Sequence, residues 1–163
     1  MDAVDRFAFQ ADRFRDWARH GIGEGPLAAR KALEQITQIY AAGLGLPQPW
    51  SEECSEAHDA YQLPDDERRA VVTGCAGLPF DVYWEVFDPT DDPAEVVAGS
   101  LLDDIADIYS DVVAGLVEFR AGRRAEAQWE WSFNLQHHWG AHATSAIRVL
   151  HWWLRDSGFH PEQ

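Results

Sequence analysis

The chain has 163 residues, 46% of them apolar and 12% aromatic, with a formal net charge of -15 at pH 7. That composition excludes an intrinsically disordered chain, and the length suits one domain, 1–163, around one core. A single lysine and scattered arginines cannot build a phosphate-binding surface, so nucleic acid is excluded as a partner, and no apolar run approaches the ~20 residues of a membrane span.

The N-terminus opens with acids and lacks an apolar core segment, so no secretory signal is read there and a cytoplasmic location is expected. Cys54 and Cys75 are too few for a zinc site and read as reduced thiols, with a bridge between them as the lesser alternative.

Residues 2–19 place Val4, Phe7, Ala11, Phe14 and Ala18 at helical spacing, and His20-Gly21-Ile22-Gly23 breaks that helix. A second helix starts at Pro26, buries Ala29, Leu33, Ile36 and Tyr40, and stops at Gly43, Gly45 and Pro47. The period then dissolves, and 46–66 reads as a long loop. A short helix runs from Pro64 or Asp65 to about Ala76, burying Val71, Val72 and Cys75. In 80–89 strict alternation is absent and no second strand is evident, which favours a turn or extended plug over a lone strand. Thr90-Asp91-Asp92-Pro93 reads as a helix start, with a helix to Phe119 whose core side is Leu101, Ile105, Ile108, Val112, Leu116 and Phe119.

After the Ala121-Gly122 turn, residues 124–155 hold five of the eight tryptophans and four of the seven histidines, with no proline. They read as one amphipathic helix with Trp131, Leu135, His138, Trp139, His142, Ala146, Val149, Leu150 and Trp153 on the apolar side. Glu130, Asn134, His137, Ala141 and Arg148 fall on the other side. The expected fold is all-α: an antiparallel bundle of four main helices, plus a short helix and a long irregular connection over 46–93.

His138 and His142 are four apart, the spacing at which one helix offers two imidazoles to a metal ion. In a tight antiparallel hairpin, facing residue numbers sum to about 241 to 243 here, which sets Asp104 level with His138 and Ser100 with His142. Asp107 and Asp111 follow Asp104 on the same flank. The competing reading is a pair of hydrogen-bonded core histidines. No HExxH or paired ExxH pattern is present, so a ferritin-like site fails. The stripe Asp103, Asp104, Asp107, Asp111 and Glu118 has the form of a Mg²⁺-holding helix, but with no matching basic groups nearby it reads as a solvated face.

Trp84-Glu85 and Trp129-Glu130-Trp131 are further oddities, because surplus tryptophans mark binding surfaces. Trp152, with Phe133 and His151, is expected to form an apolar patch suited to dimerisation. A pocket lined by Trp84, Trp131 and Trp139 is a third option. No nucleophile elbow or phosphate loop appears.

The segments VYWEVFDP (82–89), SLLDDIADIYSDVVAGL (100–116) and WEWSFNLQHHWGAHATSAIRVLH (129–151) together resemble the bacterial family known as domain of unknown function 5063. The resemblance implies a small, cytoplasmic, mainly helical protein, and brings no reaction, cofactor or catalytic residue with it. From the residues, two functions are expected to compete. One is a protein-interaction or self-associating module, with a protein partner or a second copy and no cofactor. The other is a metal-binding protein or metal-dependent hydrolase holding a divalent ion through His138, His142 and Asp104, with Asp107 or Glu85 assisting.

Overall fold

The structure is a computed structural model, and it describes residues 1–47 and 61–158. Helix α1 (Ala3–Arg19) is capped by Asp2, whose side chain accepts from the Asp5 N–H at 3.0 Å. That bond holds the Asp2 carboxylate below the ordinary range. Helix α2 (Gly25–Leu44) has its proline at the first turn, where the missing N–H costs nothing. Helix α3 (Asp65–Gly74) runs into a 3₁₀ turn at 75–77, much as its acidic first turn and buried Val71 and Cys75 led one to expect. Most of the predicted 46–66 loop, with Cys54, lies outside the described residues; Cys75 is a buried free thiol.

The segment expected to be a plug is instead strand β1 (Val82–Val86), paired antiparallel with β2 (Val96–Ser100) in the register Val82↔Ser100 to Val86↔Val96. The predicted helix start at 90–93 falls in the connection between them, and α4 begins only at Leu101. Val96-Val97 and the aromatic, β-branched run of β1 suit a pleated surface better than a helix. The correct N-cap is Ser100, whose Oγ accepts from the Asp103 N–H and donates to Asp81 Oδ1. β2 therefore feeds straight into α4 (Leu101–Arg120), and Asp81 pins the hairpin to that helix end.

The long tryptophan helix is two helices, α5 (Arg124–His137) and α6 (Trp139–Asp156), joined at His138 with φ -146° and ψ -84°. Gly140 makes the joint possible: a Cβ there would lie 2.0 Å from the Leu135 carbonyl oxygen. The break also resets the helical phase, so Glu130, assigned by periodicity to the outer side, is buried with 7% exposure.

The described residues are thus mainly helical with one small sheet, rather than all-α around four main helices. Helix α4 is central, packing against α1, α3, α5 and α6. One contiguous core joins Phe7 and Phe14 of α1, Ile36 and Ile39 of α2, Ile105, Tyr109 and Val112 of α4, and Trp131 and Trp139. Gly115 lets Trp131 seat against α4, where its Nε1–H donates to the Val112 carbonyl at 3.0 Å. No described helix is long and apolar enough to cross a membrane.

Candidate metal centre

On α4 the acids Asp104, Asp107 and Asp111 recur at i, i+3 and i+7, so they share one side of the helix. That side faces α6 rather than water: Asp104 is 7% exposed, Asp111 17% and Asp107 25%. The solvated face expected from the sequence is therefore a partly buried row of carboxylates. Glu118, at the far end, pairs instead with Arg123.

The two histidines meet this row further along than the hairpin arithmetic placed them: His142 faces Asp104 rather than Ser100, one turn on, and His138 faces Asp111 rather than Asp104, two turns on. Nδ1 of His142 lies 2.8 Å from Asp104 Oδ1, and Nδ1 of His138 lies 2.7 Å from Asp111 Oδ2. Neither ring points into the interior: His138 is 49% exposed and His142 30%. They stand on the rim of a cleft, edge to face, with ring centroids 4.9 Å apart.

With Nδ1 of each ring engaged by a carboxylate, Nε2 is the nitrogen that a neutral ring can offer to a ligand. Nε2 of His142 is 3.5 Å from Asp107 Oδ2. The other oxygen of Asp107 accepts from Arg68 Nη2 at 2.8 Å, and Arg68 also reaches Asp103 at 3.4 Å. One ligating atom each from Asp107, His138 and His142 lie within 4.8 Å of one another.

Asp104 is held from behind. Tyr83 Oη donates to Asp104 Oδ2 at 2.5 Å, and Gly99, opposite Tyr83 on β2, leaves room for that ring. Burial pushes the Asp104 carboxyl up, against the hydrogen bonds from His142 and Tyr83, and burial likewise raises Asp111. Burial pushes the Tyr83 hydroxyl up as well, keeping it protonated and a donor. The hydrogen bond to Asp104 raises His142 above the ordinary imidazole value.

The other residues singled out from sequence separate. Glu85 lines the cleft and accepts from Ser145 Oγ. Trp131 and Trp139 are fully buried, Trp139 donating to the Trp131 carbonyl at 3.2 Å, whereas Trp84 is 73% exposed. These three do not share a pocket. Trp152 is half exposed with Arg155 over its ring at 3.6 Å, and Phe133 stacks instead between Trp129 and His137. Sequence reasoning missed the orienting roles of Asp111, Tyr83 and Arg68. Only the spacing of Asp111 was a signal; Arg68 and Tyr83 reach the site through tertiary packing.

A model of the family described as domain of unknown function 5063 matches residues 4–155. The chain belongs to that family, one of unknown function, and nothing in the comparisons points to a specific activity. A crystal structure of protein BF1032 from Bacteroides fragilis is similar in fold, with a TM-score of 0.70 and 18% identity over 98% of this chain and 94% of that one. None of the curated proteins matches.

Proposed function

We propose that this protein binds a divalent transition-metal ion through Asp107 Oδ2 and the imidazoles of His138 and His142. One observation carries the reading: the second polar atom of every ligand is already engaged, by Arg68, Asp111 and Asp104 respectively. Outer hydrogen bonds of this kind fix the tautomer and aim of metal-bound histidines.

The spacing supports it too. Ligands of a tetrahedral ion stand about 3.3–3.6 Å apart, given bonds of about 2.0–2.2 Å. His142 Nε2 and Asp107 Oδ2 already meet that, and the half-exposed His138 ring has room to close the remainder. Charge points the same way. The three carboxylates outnumber the Arg68 guanidinium, which Asp107 shares with Asp103, so a divalent ion would offset negative charge on this face.

Two imidazoles with one carboxylate suit zinc or iron(II) and are unlike the all-oxygen sets of Mg²⁺ or Ca²⁺. Three protein ligands leave positions for water or substrate, the pattern of a catalytic rather than a structural ion. Bound there, the ion would polarise an oxygen or lower the pKa of a water facing the cleft, which has a volume of about 570 Å³.

The test is direct. Protein stripped with chelator and then titrated with Zn²⁺ or Co²⁺ is expected to take up one ion per chain, with tetrahedral or five-coordinate Co²⁺ absorption. His142→Ala and Asp107→Ala are expected to abolish uptake. Wild-type protein that takes up no stoichiometric ion, or a His138→Ala/His142→Ala pair that still does, sinks the reading.

A further inference from the structure

Among the described residues, strand β1 is paired on one edge only. Leu101 N–H donates to the Asp81 carbonyl at 3.0 Å, and Phe87 N–H donates to that of Glu95 at 3.0 Å. Backbone groups alternate along an antiparallel pair, so positions 81, 83, 85 and 87 face β2. The N–H and C=O groups of Val82, Trp84 and Val86 then point away from it, and no described residue takes them up. A free edge of this kind is a template for another strand.

That edge opens onto a groove. Two cavities, of about 300 Å³ and 570 Å³, lie end to end and share Glu85, Ser145 and Arg148. They take residues from both faces of β1, Tyr83 and Glu85 from the inner and Trp84 and Val86 from the outer, and none from β2. The groove therefore follows the open edge, with α6 as its opposite wall. Along it stand Trp84, 73% exposed, Phe87, 78% exposed, and Trp152, 48% exposed, large apolar groups that an isolated surface rarely gathers in one place.

The hairpin beside the groove is acidic, while Arg148 and Arg155 stand on the opposite wall, α6. The β1–β2 connection carries Asp88, Asp91, Asp92 and Glu95, and no lysine or arginine occurs between Arg69 and Arg120. We propose that this groove binds an extended segment of a partner protein by strand addition to β1, a segment in which apolar residues alternate with lysine or arginine. Main-chain hydrogen bonds to Val82, Trp84 and Val86 supply the register, and the aromatic walls take the apolar side chains. A second copy of this chain is disfavoured, because pairing two such edges brings two acidic hairpins together.

The experiment uses a blocked peptide of alternating lysine and valine, about seven residues long to span the strand and its flanks. It is titrated in chelator, so that no ion takes part and its outcome is separate from that of the metal site. Saturable shifts and slowed exchange of the Val82, Trp84 and Val86 amides are expected, with the matching glutamate–valine peptide silent. Val86→Pro removes one edge N–H without touching the β2 ladder, and Trp84→Ser removes one wall. Each is expected to weaken binding at least tenfold while the thermal midpoint holds. Four results overturn the proposal: no saturable shift at millimolar peptide; equal binding of the acidic peptide; undiminished binding by well-folded Val86→Pro; or a dimer with protected β1 amides in sedimentation and exchange measurements.

Discussion

Asp104 shows how a side chain can matter to a site without facing it. Its two oxygens are taken by His142 and Tyr83, so in the proposed site it would aim an imidazole rather than touch the ion. Asp104→Asn keeps the shape, but its amide can no longer accept two such bonds. Metal affinity is expected to fall 10–100-fold with stoichiometry unchanged, which competition against a chromogenic chelator would measure. Spacing within each of two segments, with the hairpin turn between them, was enough to pick out Asp104, Asp107, His138 and His142 as candidates. The same spacing could not say which oxygen faces which nitrogen, because that depends on a shift of one to two turns between α4 and the His138–α6 segment.

Cys75 offers a second residue-level test. It is fully buried, and burial pushes its thiol from 9.0 up to about 12. The fold therefore favours the protonated thiol, a contribution present in full below pH 9 and lost as pH rises through the window up to about 12. Stability is expected to fall by about 1.4 kcal/mol per pH unit in that window. Tyr83 and Tyr109 are raised by burial too, but from 10.0, so the interval between pH 9 and 10 isolates the thiol. Urea unfolding there should lose its slope in Cys75→Ala.

At the scale of elements, helices α1, α2 and α3 were legible because their apolar period, caps and glycine stops agree. All five of Val4, Phe7, Ala11, Phe14 and Ala18 are buried. The hairpin was not legible, since one face of β1 packs inward while Val82 and Trp84 stay exposed, which erases the polar alternation that marks a half-buried strand. The split of the tryptophan helix escaped for a different reason. No proline announces it, and what permits it is the close approach of the Leu135 carbonyl to Gly140, a contact invisible in a period count. Gly140→Ala must open that joint. It is expected to lower stability by about 1–3 kcal/mol and to weaken metal uptake as well, because the His138 position moves relative to α4. Thermal unfolding and chelator competition on the same sample check both.

For the molecule as a whole, α4 binds the other layers together, and α1 is fastened to the α4–α5 turn by ion pairs of Arg124 with Asp2 and Asp5 and of Arg120 with Asp12. These exposed pairs are each worth little. The larger electrostatic fact is the net charge of -15, which makes the compact state repel itself. Screening shrinks that repulsion over about 10 Å at 0.1 M salt. The melting temperature is therefore expected to rise as sodium chloride goes from about 10 mM to about 300 mM, and a fall would mean that the surface ion pairs outweigh the overall charge.

The joint at His138 ties these scales together. One imidazole sits on the pivot itself, the other a turn beyond it on α6, and the carboxylate that completes the triad stands on α4. An ion gripped by all three would act as the foot of a tripod, locking the angle between α5 and α6 and clamping both to the central helix. Occupancy and bend would then be a single variable, so whatever prises the bend open also lets the ion go.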